Sequence, residues 1–265
     1  MSIEKKIWQN KDHLAWIDEY KKNESRIDQN YLSTVSLGTQ IWQKEFIRGI
    51  EKTLGSLSGK DILEIGFGTC TFARYLATHC DVKSYLGTEI DSSFLPIFEK
   101  QQFPPQFQCM VSTSENLSID QRECVTVIQG VVHHFYDHVK AFENLLQCSK
   151  IMYMFEPNAL HPFRRFQEWQ QNSDPKLPPE RSYTLFQYKK FIQQAAKNTS
   201  HKITIKVVSW HLLPSNMFNW RFLSFVPVWV KKVIYTVDGL IAQIPGLNLF
   251  SYFYSIVVTV KSTKG

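Results

Sequence analysis

Short apolar runs alternate with more polar stretches of helical spacing through the centre of this chain. The runs have the length of buried strands and are predicted at residues 61–65, 84–88, 106–111, 124–129 and 151–155. Helical patterns lie between the first three runs and after the fourth, where residues 139–148 are the clearest example. Alternation of strands and helices predicts a parallel sheet that is covered on both faces.

The pattern changes on both sides of this central part. Residues 1–58 have apolar and aromatic positions three to four apart, which predicts a helical cap. Prolines interrupt residues 158–183 and predict an irregular insertion, which is followed by a helix at 184–197 and a strand at 203–210. A second insertion, 211–251, precedes a closing strand at 252–261. The predicted fold class is therefore α/β: a doubly wound, mostly parallel seven-stranded sheet in a domain of residues 59–265 that contains both insertions.

Composition and charge indicate which kinds of protein this chain resembles and which it does not. The 265 residues are 43% hydrophobic and 20% charged, which is typical of a well-cored globular protein. The net charge of +6 is modest and scattered, so the sequence does not favour a nucleic-acid-binding protein. Five cysteines without zinc-ligand spacing favour reduced thiols and no metal site. With no apolar signal segment at the start, we expect a cytoplasmic protein.

The first predicted strand leads directly into a glycine turn with a helix behind it. Glu64 stands two residues before Gly66, and Gly68, Cys70 and Thr71 follow. A turn of this kind brings the backbone close to a cofactor, while the N–H groups of the helix face a polar group of the ligand. A dinucleotide fingerprint requires a third glycine where Thr71 stands, which weakens the alternative of an NAD-linked oxidoreductase. Because Cys70 is not glycine, we expect its φ angle to be negative.

Further polar groups stand where the later strands end, at the edge of an open α/β sheet where ligands bind. Glu89 ends the second strand about twenty residues past the turn, where an acid accepts hydrogen bonds from ribose hydroxyls. Asp91 is expected to cap the helix that starts at Ser92. The third strand is followed by Ser112-Thr113-Ser114-Glu115-Asn116-Leu117, and the fourth by Gln129-Gly130-Val131-Val132-His133-His134. The fifth ends in Glu156-Pro157-Asn158. Glu156 is expected to fix the loop that faces a second bound molecule, which would accept a group from the cofactor.

Taken together, these four strand ends resemble class I S-adenosyl-L-methionine (SAM)-dependent methyltransferases of the small-molecule, type 11/12-like branch. The resemblance covers residues 58–158, with Thr113 standing where that family often has an acid for adenine. It implies SAM as the cofactor. No metal is expected, because the adjacent His133 and His134 point in different directions and the sequence offers no third ligand that can be placed beside them. The implied SAM contacts are Glu64, Gly66, Phe67, Gly68, Glu89, Ile90, Ser114, Glu115, Gln129 and Gly130. His134 is the first candidate for a general base and His133 the second; pocket-shaping histidines are the alternative.

The resemblance implies methyl transfer to oxygen or carbon of a small, apolar metabolite. Residues 211–251 hold many aromatic side chains beside Lys231 and Lys232, which indicates a lid over a lipophilic acceptor with Trp220 or Trp229 at its mouth. A surface that rests on a membrane, or simple packing in the core or a dimer, would produce the same pattern. We expect a monomer or homodimer. A methyltransferase-fold regulatory or assembly protein without activity is the alternative that Cys70 and Thr113 leave open.

Overall fold

The computed structural model describes residues 37–119, 124–173, 180–209, 211–213 and 225–261. Residues 1–36 of the expected cap and 214–224 of the second insertion, with Trp220, lie outside this part. The strands are β1 (Asp61–Ile65), β2 (Ser84–Glu89), β3 (Phe107–Val111), β4 (Cys124–Gln129), β5 (Ser149–Pro157), β6 (Lys202–Ser209) and β7 (Phe253–Lys261). The helices are α1 (Leu37–Leu54), α2 (Thr71–His79), α3 (Leu95–Glu99), α4 (His138–Cys148), α5 (Pro162–Ser173), α6 (Leu185–Asn198) and α7 (Val228–Ile241).

The seven strands form one sheet in the order β3-β2-β1-β4-β5-β7-β6. β1 pairs in parallel with β2 on one side and with β4 on the other, so the strand order reverses between β1 and β4. In open α/β sheets a ligand binds at the carboxyl ends of the strands on either side of such a reversal. The mostly parallel, doubly wound sheet predicted from the sequence is confirmed.

The central strands are buried on both faces. Leu63, Val127 and Met154, on β1, β4 and β5, are each at most 1% exposed. Every second residue of a strand points to the same face, so continuous burial requires a cover on both sides of the sheet. This is why the sequence shows nearly unbroken apolar runs instead of alternation.

The described residues fall into two compact units. One comprises residues 50–119, 124–156, 185–208 and 255–261, which include most of the sheet. The other comprises 37–49, 157–173, 180–184, 209, 211–213 and 225–254. Every residue of the glycine turn and of the strand ends through Glu156 belongs to the sheet-containing unit.

The second unit is held together by buried polar groups. The side-chain amide of Asn158 donates to the carbonyl oxygens of Leu249 and Ser251 at 2.9 and 2.8 Å. Arg164 is paired with the buried Glu180 and donates to the Ser182 hydroxyl at 2.6 Å.

Residues 158–183, which were predicted to be irregular, contain the helix α5. This helix begins at a proline, at a position where no N–H is needed. The prediction of an irregular segment was wrong for residues 162–173, because Pro162 marks the start of a helix.

Candidate functional site

Three alternate residues with a positive φ angle shape the turn after β1. Gly66, Gly68 and Cys70 have φ angles of 72°, 48° and 59°. The expectation of a negative φ at Cys70 was therefore wrong: this residue is the N-cap of α2 with φ 59° and ψ 24°. Its side chain is fully buried, and its N–H donates to the Phe67 carbonyl oxygen at 2.8 Å. The turn tolerates a non-glycine residue here because the buried thiol and this hydrogen bond compensate the backbone strain.

Gly66 is required for a steric reason as well. A Cβ atom on Gly66 would lie 2.6 Å from Cγ2 of Val131, on the loop after β4. The N–H groups of Gly66 and Phe67 both donate to the carbonyl oxygen of Thr88, at 2.9 and 3.2 Å. The turn is thus fixed against β2 on one side and against the loop after β4 on the other.

The side chain of Phe67 is buried. Its ring is 2% exposed and packs edge-on against Phe98 with 5.4 Å between the ring centroids. Gly87 makes room for this ring, since a Cβ there would lie 2.9 Å from Cδ1 of Phe67. The predicted cofactor contact by Phe67 is consequently confined to main-chain atoms, and its side chain anchors the turn in the core.

Glu64 is a buried acid. It is 3% exposed, and the Tyr85 hydroxyl donates to its carboxylate at 2.5 Å. Burial raises the pKa of Glu64 to about 8, and the nearby Glu89 acts in the same direction, while the hydrogen bond from Tyr85 opposes them. Sequence reasoning missed Tyr85, although it faces Glu64 from the neighbouring strand β2.

Glu89, at the end of β2, joins this strand to the glycine turn. Its carboxylate accepts the N–H of Gly68 at 2.8 Å and that of Ile90 at 3.1 Å. Burial raises the pKa of Glu89 to about 7, against the effect of these two hydrogen bonds. The Asp91 side chain accepts the N–H of Ser93 at 2.8 Å and caps the short helix Ser92–Phe94, as expected. Glu89 is therefore the acid of this strand end that faces the turn, and Ile90 beside it is 45% exposed.

The segment after β3 is tied to the loop before α4. Ser114 and Glu115 are each 5% exposed, and their carbonyl oxygens accept the amide of Asn144 at 3.0 and 2.8 Å. The Glu115 carboxylate accepts the N–H groups of Tyr136 and Asp137 at 3.0 and 3.4 Å. Burial raises the pKa of Glu115. The side chain of Glu115 therefore holds two loops together at the edge where the resemblance implies adenine.

β4 ends at Gln129, and the next residue, Gly130, lies beside open space in the described part of the chain. Gly130 has a φ of 65°, and a Cβ there would meet no heavy atom within 4 Å among the described residues. Its N–H donates to the Phe155 carbonyl oxygen at 2.9 Å, which keeps the backbone aligned with β5. Gln129 is half-buried at the last pair of the β4–β5 ladder. A ligand can approach the main chain closely at this point.

One buried carboxylate organises the loop that follows. Glu156, which is fully buried, accepts the N–H groups of Val131 and Val132 at 2.9 and 3.0 Å through one oxygen. Its other oxygen lies 2.9 Å from Nδ1 of His133. Glu156 therefore fixes this loop, as expected. Its pairing with His133 was not predicted from the sequence.

The two histidines differ in their surroundings. His133 is 9% exposed and paired with Glu156, whereas His134 is exposed at the end of the short helix Val132–His134. Their rings lie 4.1 Å apart between centroids. A carboxylate at Nδ1 keeps the proton there and leaves a lone pair on Nε2, which is the arrangement of an oriented base. The structure thus gives His133 the better geometry, although the sequence placed His134 first.

These groups fit a SAM molecule at the reversal between β1 and β4. The left-handed turn supplies a close backbone approach, Glu89 supplies a carboxylate at the second strand end, and the space beside Gly130 is open. The distances from these groups to a ligand stay predictions, as do the individual contacts.

Comparison with known proteins finds a match to a methyltransferase domain in part of the chain. Residues 63–151 match the model of the methyltransferase domain family. A curated relative, the phthiotriol/phenolphthiotriol dimycocerosates methyltransferase of Mycobacterium leprae, is 26% identical over 121 residues. That match covers 43% of this chain and 43% of the relative, so it spans less than half of either protein.

Solved structures share the fold at low sequence identity. A SAM-dependent methyltransferase from Thermotoga maritima superposes with a TM-score of 0.58 at 12% identity, over 93% of this chain and 96% of that one. One from Mesorhizobium loti gives 0.54 at 11% identity over 80% and 96%. The Haemonchus contortus phosphoethanolamine N-methyltransferase 2, bound to S-adenosylhomocysteine, gives 0.54 at 14% identity over 82% and 52%. Residues 63–151 therefore match a methyltransferase domain, in a sheet that has the fold of SAM-dependent methyltransferases, and this match favours SAM over the NAD-linked site that the glycine turn alone left open.

Proposed function

We propose that this protein methylates a hydroxyl group of a small, apolar metabolite, with His133 as the general base and Glu156 as the residue that orients it. The observation that carries the proposal is the 2.9 Å contact between Nδ1 of His133 and the buried Glu156 carboxylate. SAM, when bound, supplies an electrophilic methyl group on a sulfonium. The residues of this chain must then bind the acceptor, align it and take its proton.

Whether methyl transfer requires a base depends on the chemical class of the acceptor. A hydroxyl loses a proton when its oxygen forms the new bond to carbon, and Nε2 of His133 would receive that proton. A neutral amine attacks through its own lone pair and needs no base at that step. An oriented histidine at the end of β4 therefore favours a hydroxyl over an amine. A carbon acceptor that must first be deprotonated would use the same base and is the second candidate.

The apolar character of the acceptor is supported by two observations. The Mycobacterium leprae relative is named as a methyltransferase of phthiotriol and phenolphthiotriol dimycocerosates. Residues 225–250 of this chain expose many apolar side chains, among them Phe225 and Trp229. The lid of residues 211–251 with Trp229 at its mouth, the cytoplasmic location and the monomeric or dimeric state stay predictions beside this proposal.

The test combines binding with turnover. Calorimetry with SAM comes first, because a methyltransferase-fold protein without activity would not bind SAM at micromolar concentration. Formation of S-adenosylhomocysteine is then followed with phenols, quinols and long-chain alcohols, and with amines as the contrasting class. A SAM-binding protein that methylates only the amines would contradict the proposal.

Two neighbouring histidine variants form the matched pair. His133→Gln should lower kcat about 100-fold or more, as expected for loss of a general base, with SAM affinity retained. His134→Gln should keep nearly the full kcat. The rise of kcat with pH should be present in the parent and in His134→Gln, and absent in His133→Gln. The reverse ranking would return the role to His134, and two unaffected variants would show that no base is used.

A further inference from the structure

Helix α7 (Val228–Ile241) has its polar and apolar faces reversed. Two ionisable residues of this helix, Lys231 and Asp238, are buried, with 7% and 6% of their surface exposed. Together with Tyr235 and Ala242 they follow the spacing of one helical face. The opposite face is apolar and exposed; it carries Trp229, Val233, Ile234, Val237, Leu240 and Ile241. A helix surrounded by water places its charges on the outside, so this outer face is built for a different environment.

The orientation of the helix is fixed by polar contacts. The Asp238 carboxylate accepts the N–H groups of Leu212 and Leu213 at 3.0 and 3.1 Å and lies 3.2 Å from Nδ1 of His211. The ring of His211 stacks on Tyr235 with 3.6 Å between centroids. Rotating α7 to bury its apolar face would break these buried interactions, each of which is costly to leave unmade. The exposed apolar face is therefore a stable feature of the unit.

Exposed apolar side chains also stand before and after the helix in the sequence. Ile244, Leu247 and Phe250 are 41–50% exposed, and Phe225 before the helix is 80% exposed. We call the exposed apolar side chains of residues 225–250 the α7 face. Large apolar side chains exposed in such number within one segment indicate an interaction site.

We propose that the α7 face docks on the surface of an anionic lipid bilayer. Its centre is aliphatic, whereas the cores of protein–protein interfaces are enriched in tyrosine, tryptophan, methionine and arginine. In the sequence, the exposed Phe225 and Trp229 precede most of the aliphatic residues and Phe250 follows them, and aromatic side chains of this kind favour the boundary between lipid and water.

The charged residues near the α7 face also favour an anionic bilayer as the partner. Asp238 is the one acid in residues 225–250 and is buried, while Lys232 is exposed, so the α7 face presents no carboxylate to anionic headgroups. The net charge of +6 adds attraction to such a surface. The helix has 14 residues, short of the roughly 20 that cross a bilayer, so it would lie in the interface. Among the helices that the structure describes, none combines the length and apolar content that crossing a membrane requires.

Vesicle co-sedimentation of the full chain tests this proposal without reference to methyl transfer. The probes are vesicles of phosphatidylcholine alone and of phosphatidylcholine mixed with phosphatidylglycerol. The parent should bind the mixed vesicles more strongly than the neutral ones, and added salt should reduce the difference. The double variant Val233→Glu with Val237→Glu should lower the partition coefficient at least about tenfold. Lys232→Ala should reduce the preference for the mixed vesicles.

The matched control is Phe186→Glu, which places the same charge at an aromatic residue that is 63% exposed on α6 (Leu185–Asn198). It should bind vesicles like the parent. A milder double variant, Val233→Ser with Val237→Ser, repeats the test, and SAM affinity shows that each variant is folded. Equal binding by parent and double variants, or no binding by the parent, would overturn the proposal. So would a parent dimer by light scattering that the double variant converts to a monomer, because the α7 face would then lie between two copies.

Discussion

Glu156 holds His133 through Nδ1 at 2.9 Å while its other carboxylate oxygen accepts the N–H groups of Val131 and Val132. One side chain at the end of β5 thus fixes both the loop after β4 and the tautomer of the histidine on it. The two roles are separable, because the backbone donors require only an oxygen, whereas the tautomer depends on having an acceptor at Nδ1.

Glu156→Gln should therefore lower kcat about 100-fold or more while SAM affinity is kept. The amide oxygen would be drawn to the two backbone N–H groups, so the amide NH₂ would face Nδ1 and shift the ring proton to Nε2. Stability should fall by about 1–3 kcal/mol, the cost of disturbing a buried hydrogen-bonded acid. Steady-state kinetics at saturating SAM and urea unfolding measure the two effects.

Glu115→Gln is the control for Glu156→Gln, because this carboxylate also accepts two backbone N–H groups but has no histidine partner. It should lose comparable stability and keep kcat at saturating SAM. Equal loss of kcat in both variants would mean that Glu156 acts only through the stability of the loop.

Glu89→Ala should weaken SAM binding by about 2–3 kcal/mol, the range for hydrogen bonds to a charged group. The structure adds a second reason, since the variant also loses the 2.8 Å bond that holds Gly68. Asp91→Ala is the control: it removes the cap on Ser93, should cost about 0.5–2 kcal/mol of stability, and should keep SAM affinity. Calorimetry that finds the opposite ranking would show that Asp91 is the ribose acid.

Cys70 tests how the left-handed turn is stabilised. Cys70→Gly removes a left-handed strain of about 1–2 kcal/mol but also a buried thiol, so stability should change little. SAM affinity should stay within about tenfold, or 1.4 kcal/mol. Cys70→Val should be clearly less stable, because a β-branched side chain is strongly disfavoured at φ 59°. Thermal unfolding and calorimetry of both variants give the answer; loss of SAM binding in Cys70→Gly would mean that the thiol contacts the ligand.

Burial of Glu64 predicts a pH dependence of stability. Its pKa is raised from 4.5 to about 8 in the folded protein, so between these values the folded state keeps a proton that the unfolded state has released. Stability should then fall as the pH rises through this window, by up to about 1.4 kcal/mol per pH unit for one proton. Glu89, with a pKa of about 7, acts in the same direction. Glu64→Gln should unfold with a shallower pH slope than the parent, as urea titrations at pH 5.5 and 7.5 would reveal. An identical slope in both proteins would show that Glu64 does not carry that proton.

The sequence predicted most of the sheet, because each strand is a short apolar run bounded by turn residues. β1 and β4 have the predicted bounds, and β2 extends one residue further, to Glu89. Helix α5 was missed because it begins at Pro162 and is followed in the sequence by prolines at 175, 178 and 179, and propensity alone does not separate a proline at a helix start from one in a loop.

Single residues of the site were harder to predict than strands. Glu64, Glu89 and Gly130 stand at strand ends, so their positions follow from the order of the elements. The partners Tyr85–Glu64 and Glu156–His133 join residues more than twenty positions apart, and only the register between strands brings them together. The left-handed Cys70 was mispredicted because φ there depends on burial of the thiol, which the local sequence does not encode.

Gly66 and Gly59 form a matched pair for measuring the contact between the glycine turn and the loop after β4. Both have a φ of 72°, so an alanine carries the same backbone strain of about 1–2 kcal/mol at either position. At Gly59 the added Cβ meets no heavy atom within 4 Å in the described part of the chain, whereas at Gly66 it lies 2.6 Å from Cγ2 of Val131.

Gly66→Ala should therefore lose about 1–3 kcal/mol more stability than Gly59→Ala, the range for overpacking. It should also lower SAM affinity, because the added methyl group presses on Val131, which lies in the loop that Glu156 holds. Shortening the neighbour in Gly66→Ala with Val131→Ala should recover part of both losses. Urea unfolding and SAM calorimetry of the four proteins measure this, and equal losses in the two single variants would show that strain alone, and not the contact with Val131, requires glycine at position 66.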